Sequence, residues 1–164
     1  MKRLFMIFTL MAFTVAMMAQ GRCLMPVTDK DGYANVRKGM TTKSAVVRKV
    51  KRDADVYVTP TGTDWYRVSL TETGSYIGYI HFSCVKPESD FASLYKVTDK
   101  DGYTNVRQLA TTSSPIVDRM KTGQEFEGLG VLVNGDYGKW IGVLDNKGRL
   151  KGFVYFSNVV CIAQ

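Results

Sequence analysis

VTDKDGYANVR, residues 27–37, returns seventy residues later as VTDKDGYTNVR, residues 97–107. Ten of the eleven positions are identical, and only Ala34 and Thr104 differ. The match continues outward. KGMTTKSAVVRKV from Lys38 aligns with QLATTSSPIVDRM from Gln108, and RDADVYV from Arg52 with TGQEFEG from Thr122. WYRV from Trp65 then faces WIGV from Trp140, and GYIHFSCV from Gly78 faces GFVYFSNVV from Gly152. The second copy carries a longer stretch before its tryptophan, around LVNGDYG. The chain is a duplication, and each unit of about 60–70 residues is small for an independent core.

Each copy reads as short strands divided by turns. Asp31-Gly32 and Asp101-Gly102 are turn dipeptides. DVYV alternates, with Val56 and Val58 on one face and Tyr57 on the other. TETGS and DNKG separate the later strands of the two copies. No apolar 3.6-residue period persists for three turns. Several short strands at close spacing predict an all-β fold of two small barrels in tandem. The predicted boundaries are a leader over 1–19, a first unit over 20–88 and a second over 93–164. KPESDFAS, from Lys86 to Ser93, is the connection.

The leader is read from Lys2 and Arg3, an apolar run from Leu4 to Val15, and small residues from Ala16 to Ala19. That is the layout of a secretory signal peptide, with cleavage near Ala19–Gln20. Met17 stands where a smaller residue is usual, and the alternative is a retained anchor. The run is short of the about 20 residues a spanning helix needs, so the expected product is periplasmic or secreted, without stable membrane insertion. Arg22 before Cys23 argues against a lipid anchor.

The formal charge of the 164 residues is 22 − 15 = +7. Lys2 and Arg3 in the leader hold two of these charges, and the copies share the rest unevenly, with +4 over Gln20–Glu88 and +1 over Ser89–Gln164. Lys43, Arg48, Lys49, Lys51 and Arg52 concentrate it in the first copy. An acidic partner protein or acidic peptide fits that loop region. Nucleic acid is disfavoured by the export signal and the lack of a basic run.

Cys23, Cys84 and Cys161 include no C-x-x-C. This argues against a thioredoxin-type motif or a zinc ribbon. Asp29-Lys30-Asp31-Gly32 supplies too few acids for an EF-hand loop, and the twelfth position from Asp29 is Met40. It reads as a polar turn, and Asn35-Val36-Arg37 as fold-specifying. His81 is the only histidine, and as strand neighbours it and Cys84 point to opposite faces. No cofactor, no metal and no enzyme is read. Gly128-Leu129-Gly130 lacks the third glycine of a dinucleotide loop and reads as loosened β-structure.

Three motifs in order, twice over, resemble the bacterial SH3 (SH3b) family. They are Asn35-Val36-Arg37, Trp65-Tyr66-Arg67-Val68 and Gly78-Tyr79-Ile80-His81. The second copy keeps Asn105-Val106-Arg107, Trp140, Val143 and Gly152-Phe153-Val154-Tyr155. Asp53 replaces a frequent glycine, and Tyr79 and Phe153 replace the usual tryptophan of the closing strand. The resemblance implies two tandem SH3-like barrels that bind a cell-wall (peptidoglycan) peptide or an extended envelope protein segment. It also places first and last strands together, which implies a Cys23–Cys84 disulfide and leaves Cys161 free or a small buried hydrophobe.

Alternation in the closing strands turns Ile80, Phe82, Val154 and Phe156 inward and Tyr79, His81, Phe153 and Tyr155 outward. Trp65 and Trp140 lie opposite in phase to Val68 and Val143, and Tyr33 and Tyr103 extend the same surface. These eight rings suit a shallow peptide platform. Equally, they suit packing against the neighbouring copy. The runner-up function is an inhibitor or immunity-type partner of a secreted wall hydrolase or toxin, with Leu132–Lys139 as its insertion element. A purely structural envelope module is the third.

Overall fold

A computed structural model describes residues 21–87, 92–133 and 136–163. The leader and the centre of the Lys86–Ser93 connection lie outside the described residues. Among those described, the chain is all-β, with two antiparallel sheets and no α-helix. The first sheet holds β1 (Cys23–Pro26), β2 (Tyr33–Arg37), β3 (Val46–Lys51), β4 (Asp55–Pro60), β5 (Trp65–Ser69) and β6 (Gly78–His81). The second holds β7 (Ala92–Val97), β8 (Tyr103–Arg107), β9 (Ile116–Lys121), β10 (Glu125–Val133), β11 (Asp136–Leu144), β12 (Leu150–Tyr155) and β13 (Val159–Ala163). The strand orders are β1-β4-β5-β6-β2-β3 and β13-β7-β10-β11-β12-β8-β9. The duplication therefore reproduces one order twice and adds β13 to the second copy.

The repeated phrase builds the same turn and brace in both sheets. Asp29 Oδ1 accepts the N–H of Asp31 at 3.1 Å, and Asp99 Oδ1 that of Asp101 at 3.1 Å. Gly32 and Gly102 take φ of 80° and 85°, the left-handed turn that glycine adopts without a Cβ penalty. Ala34 and Val36 point into the core, as do Thr104 and Val106. The Arg37 guanidinium donates to the Ser44 carbonyl at 2.8 Å, and Arg107 donates to Ser114 at 2.8 Å. Each arginine ties down the loop that follows its own strand. The phrase serves folding.

Neither sheet is closed into a barrel by hydrogen bonds. The end strands of each order do not pair with each other, and β2 meets β6 through one residue pair, Arg37 with Tyr79. Burial explains how open sheets suffice. One apolar cluster, including Val97, Val106, Phe126, Ile141, Val143 and Val154, is the interior of the second sheet. A second cluster starts inside the first sheet with Met25, Val56, Val58, Tyr66, Val68 and Ile80. It continues into Leu129, Val131, Trp140, Leu150 and Phe153, on the other side of the second sheet. The outward face of β10–β12 thus covers the core of the first repeat. The second unit keeps a core of its own, and its outward face completes the core of the first, which is small for a unit of this length.

Polar contacts seal this seam. The backbone N–H and C=O of Arg22 pair with those of Leu132, each at 2.9 Å. Gln108 Nε2 donates to the Thr61 carbonyl at 3.0 Å, and the Arg149 guanidinium pairs with Asp64. Tyr66 places its hydroxyl to accept the N–H of Leu150 at 2.7 Å, with both groups buried. Replacing Tyr66 by Phe orphans that N–H, which costs about 1–3 kcal/mol. Urea denaturation of Tyr66→Phe should show that loss with an unchanged m-value. A loss under about 0.5 kcal/mol would mean water reaches the amide.

The Cys23–Cys84 disulfide implied by the resemblance does not form, and all three thiols are free. The first and last segments do meet, but Cys84 sits across from Thr28, whose N–H it accepts at 2.9 Å. Cys23 lies five residues earlier on that strand path, about 16 Å away at the usual strand rise. A disulfide needs Cα atoms within about 7 Å. Cys161 is exposed, so it is not a buried filler of the last strand. Phe156 is also exposed, against the expected inward phase. The chain leaves β12 at Tyr155 and enters a 3₁₀ turn over Phe156–Asn158, which breaks the alternation.

Candidate functional site

The eight predicted rings divide between an open face and a covered one. On the first sheet, β5 presents Trp65 and Arg67 outward and β6 presents Tyr79 and His81, while Tyr66, Val68 and Ile80 are core. Trp65 and His81 are cross-strand partners, with ring centroids 5.2 Å apart at 75°, an edge-to-face contact. His81 also lies 5.0 Å from Phe82. Tyr79 is half-buried between Arg67 on β5 and Arg37 on β2. The result is a shallow strip of three rings flanked by two guanidinium groups.

The second repeat props this strip. Arg149 is held by Asp145 at 2.9 Å, pairs with Asp64 and reaches over the Phe82 ring at 6.0 Å. Gln108 holds Thr61, in the same loop as Asp64 and just before Trp65. Both contacts fix the loop that sets the angle of the tryptophan.

In the second sheet the same register holds Trp140 against Tyr155, with centroids 5.3 Å apart at 79°. Here the expectation of an outward platform is corrected. Trp140 is 6% exposed and Phe153 is 0% exposed. Both point outward from their own sheet but meet the first repeat, with Phe153 beside Gly21. Tyr155 alone of the three stays exposed. The neighbour-packing alternative holds for the second copy.

Tyr33 and Tyr103 do not join either strip. Tyr33 lies four residues along β2 from Arg37, about 13 Å at the usual rise. Its ring is occupied by Lys49 Nζ at 4.2 Å, and the Tyr103 ring by the Arg119 guanidinium at 5.0 Å. Arg119 also donates to Asn105 Oδ1 at 3.1 Å. In the first copy Lys49 replaces that arginine, and Asn35 Oδ1 is enclosed without a hydrogen-bond partner among the described residues.

A signal separating the two faces was available in the sequence. Outward positions Thr59, Arg67 and Ser69 of the first copy correspond to Leu129, Gly142 and Leu144 of the second. Thr59 and Ser69 are also buried, but through hydrogen bonds to Gly21, Tyr76 and Arg22, whereas the apolar or absent side chains of the second copy mark the face that docks on the other repeat. At Gly142 a side chain would come within 3.0 Å of the Cys23 sulfur.

The thiol and the imidazole stay apart. His81 Nδ1 engages Ser83 Oγ at 2.8 Å. His81 ends β6, and Cys84 belongs to the 3₁₀ turn that follows, so the two are not neighbours along one strand as expected. Burial pushes the Cys84 thiol up to about 12, aided by its hydrogen bond to Asp29. That bond, with the Asp31 N–H, holds the Asp29 carboxyl below its usual range. Burial likewise raises Cys23. At pH 8 a disulfide reagent should therefore titrate one thiol per chain quickly, at Cys161. Cys84 should react slowly and Cys23 only on unfolding. Prompt reaction of all three would contradict this placement.

No family model matches the chain, and no curated protein matches its sequence. Among solved structures it is similar to NlpC2 from Trichomonas vaginalis, at 8% identity and a TM-score of 0.38. The match covers 86% of this chain and 48% of that one, so the chain spans about half its length. At that score the two need not share a fold. What the strands and their order define is an all-β protein of two antiparallel sheets. No helix among the described residues is long and apolar enough to cross a membrane.

Proposed function

We propose that the protein is an exported, non-catalytic binding module of two SH3-like units, periplasmic or secreted. It takes an extended segment, a cell-wall peptide or a stretch of envelope protein, on the Trp65–Tyr79–His81 strip. The observation that carries this reading is the unequal fate of one face. The second copy spends it on packing, while in the first Trp65, Tyr79 and His81 stay partly exposed, with Arg67, over the Tyr76 ring, and Arg37, bound to the Ser44 carbonyl, beside them. Rings flanked by cations suit an extended chain bearing carboxylates, whose apolar parts lie on the rings. The basic residues of β3, Arg48, Lys49 and Lys51, extend the positive field beside the strip.

A non-catalytic reading is supported by the chemistry of Cys84 and His81. The thiol is held protonated at neutral pH, and the imidazole is engaged by Ser83 rather than by the thiol. The inhibitor reading places its inserting element at Leu132–Lys139, of which residues 134–135 lie outside the described residues and Gly138 and Lys139 are exposed. Leu132, at the base of that hairpin, is buried and hydrogen-bonded to Arg22.

Retention on purified wall sacculus tests the reading. Trp65→Ala, Tyr79→Ala and His81→Ala should each weaken retention, with Trp65→Ala losing about tenfold or more, equivalent to about 1.4 kcal/mol. Tyr155→Ala, on the other repeat, should bind like the parent. Equal retention of all four variants, or no retention of the parent, would overturn it.

A further inference from the structure

The duplication supplies an internal control for the edge of the second sheet. After the 3₁₀ turn of the first copy the chain makes one bridge, Val85 with Val27. Lys86 and Pro87 then follow. A charge and a proline are common devices for blunting a sheet edge. At the same point the second copy runs on as β13, Val159-Val160-Cys161-Ile162-Ala163, with neither charge nor proline, and its register with β7 shifts only past Cys161, at Ile162. The strand pairs with β7 on one side and, among the described residues, ends the strand order on the other. Val160 is 45% exposed and Ile162 43%, and Cys161 between them is exposed too.

Hydrogen bonding turns the middle of this strand outward. The Thr98 N–H donates to the Asn158 carbonyl at 2.9 Å, so 98 and 158 form a bonded pair. Antiparallel pairs alternate, which makes Cys161, opposite Tyr95, a non-bonded pair on the β7 side. Its N–H and C=O face the free edge. The other late-order edges carry charge: β3 has Arg48, Lys49 and Lys51, and β9 has Asp118, Arg119 and Lys121. Two copies of β3 would repel each other, whereas two copies of β13 bring no charge together.

We propose that β13 is a dimerisation edge, pairing antiparallel with β13 of a second copy about a twofold axis at Cys161. This goes beyond the binding role and does not depend on it. Self-pairing sets Val160 against Ile162 of the second copy, twice, and joins the two second sheets through an isologous contact. An interface of one short strand is small, so the dimer is weak and concentration-dependent.

Sedimentation equilibrium of the purified protein under reducing conditions tests this, from about 5 to about 200 µM, the range expected of a small interface. The parent should pass from monomer to dimer. Val160→Lys should raise the dissociation constant at least tenfold, and Cys161→Ser should leave it within about twofold. Val160 is exposed, so the lysine variant should melt close to the parent. A parent that stays monomeric, or a dimer indifferent to Val160→Lys, overturns the proposal. Should the lysine variant fail to fold, oxidised glutathione decides the matter on the parent. Two Cys161 thiols give up two protons and two electrons to the glutathione disulfide, which leaves as two thiols, and a Cys161–Cys161 bond forms. A covalent dimer supports the edge pairing. A monomer carrying only a glutathione mixed disulfide at Cys161 overturns it, including the case in which a foreign strand is the true occupant.

Discussion

Phe153→Ala should cost about 3–5 kcal/mol, the range for removing a fully buried aromatic ring. Tyr79→Ala, at the same register position of the other repeat, should cost about 1 kcal/mol. Phe153 and Tyr79 each follow the glycine of the closing strand, and each pairs with the arginine of its own Asn-Val-Arg segment. Their surroundings differ. Phe153 sits across from Gly142 and is wholly buried at the seam, while Tyr79 sits across from Arg67 and keeps contact with solvent. For a chain of this size the larger loss lowers the melting temperature by about 6–20 °C. Calorimetry on both variants checks it. Equal losses would mean that the outward face of the second sheet is not packed against the first repeat.

The second large effect falls on the closing-strand glycines. A Cβ at Gly78 would stand 2.5 Å from the Arg37 carbonyl oxygen, and one at Gly152 would stand 2.5 Å from that of Arg107. Those oxygens belong to backbone and cannot swing aside. Each also faces a valine methyl, of Val36 at 2.9 Å or Val106 at 3.0 Å. The methyl must therefore push β6 from β2, or β12 from β8, at the single pair joining them. Gly78→Ala and Gly152→Ala should each cost about 1–3 kcal/mol, as overpacking does. The double variant should come close to the sum, because the positions share no partner. Denaturant melts of the three variants give these numbers. Losses under about 0.5 kcal/mol would show that the strands separate freely there.

Strands and turns were legible because they are local. The alternation of Val56, Tyr57 and Val58 fixes which face is core, and Asp-Gly in both copies fixes the turn. The role of Asn-Val-Arg as a folding element was also legible, since its arginines brace their own loops. Closure was not. A barrel was expected because each copy, taken alone, must bury its edges. The chain instead covers one repeat with the other, and alternation within a single copy carries no trace of that. The trace lies between the copies, in Arg67 against Gly142 and Ser69 against Leu144. The misassigned Phe156 and the unformed Cys23–Cys84 bond share a cause. Strand phase and distance were carried through a 3₁₀ turn and along a strand path whose register only the fold reveals.

Trp65 and Trp140 allow the most direct measurement of the central claim, that the Trp65–His81 end of one face is partly open in the first repeat while its counterpart is covered in the second. Acrylamide quenching would be compared in Trp140→Phe, which keeps Trp65, and in Trp65→Phe, which keeps Trp140. The account predicts a several-fold larger quenching constant for Trp65, since Trp140 is buried at 6% exposure. Equal quenching of the two, or the greater quenching at Trp140, would contradict it.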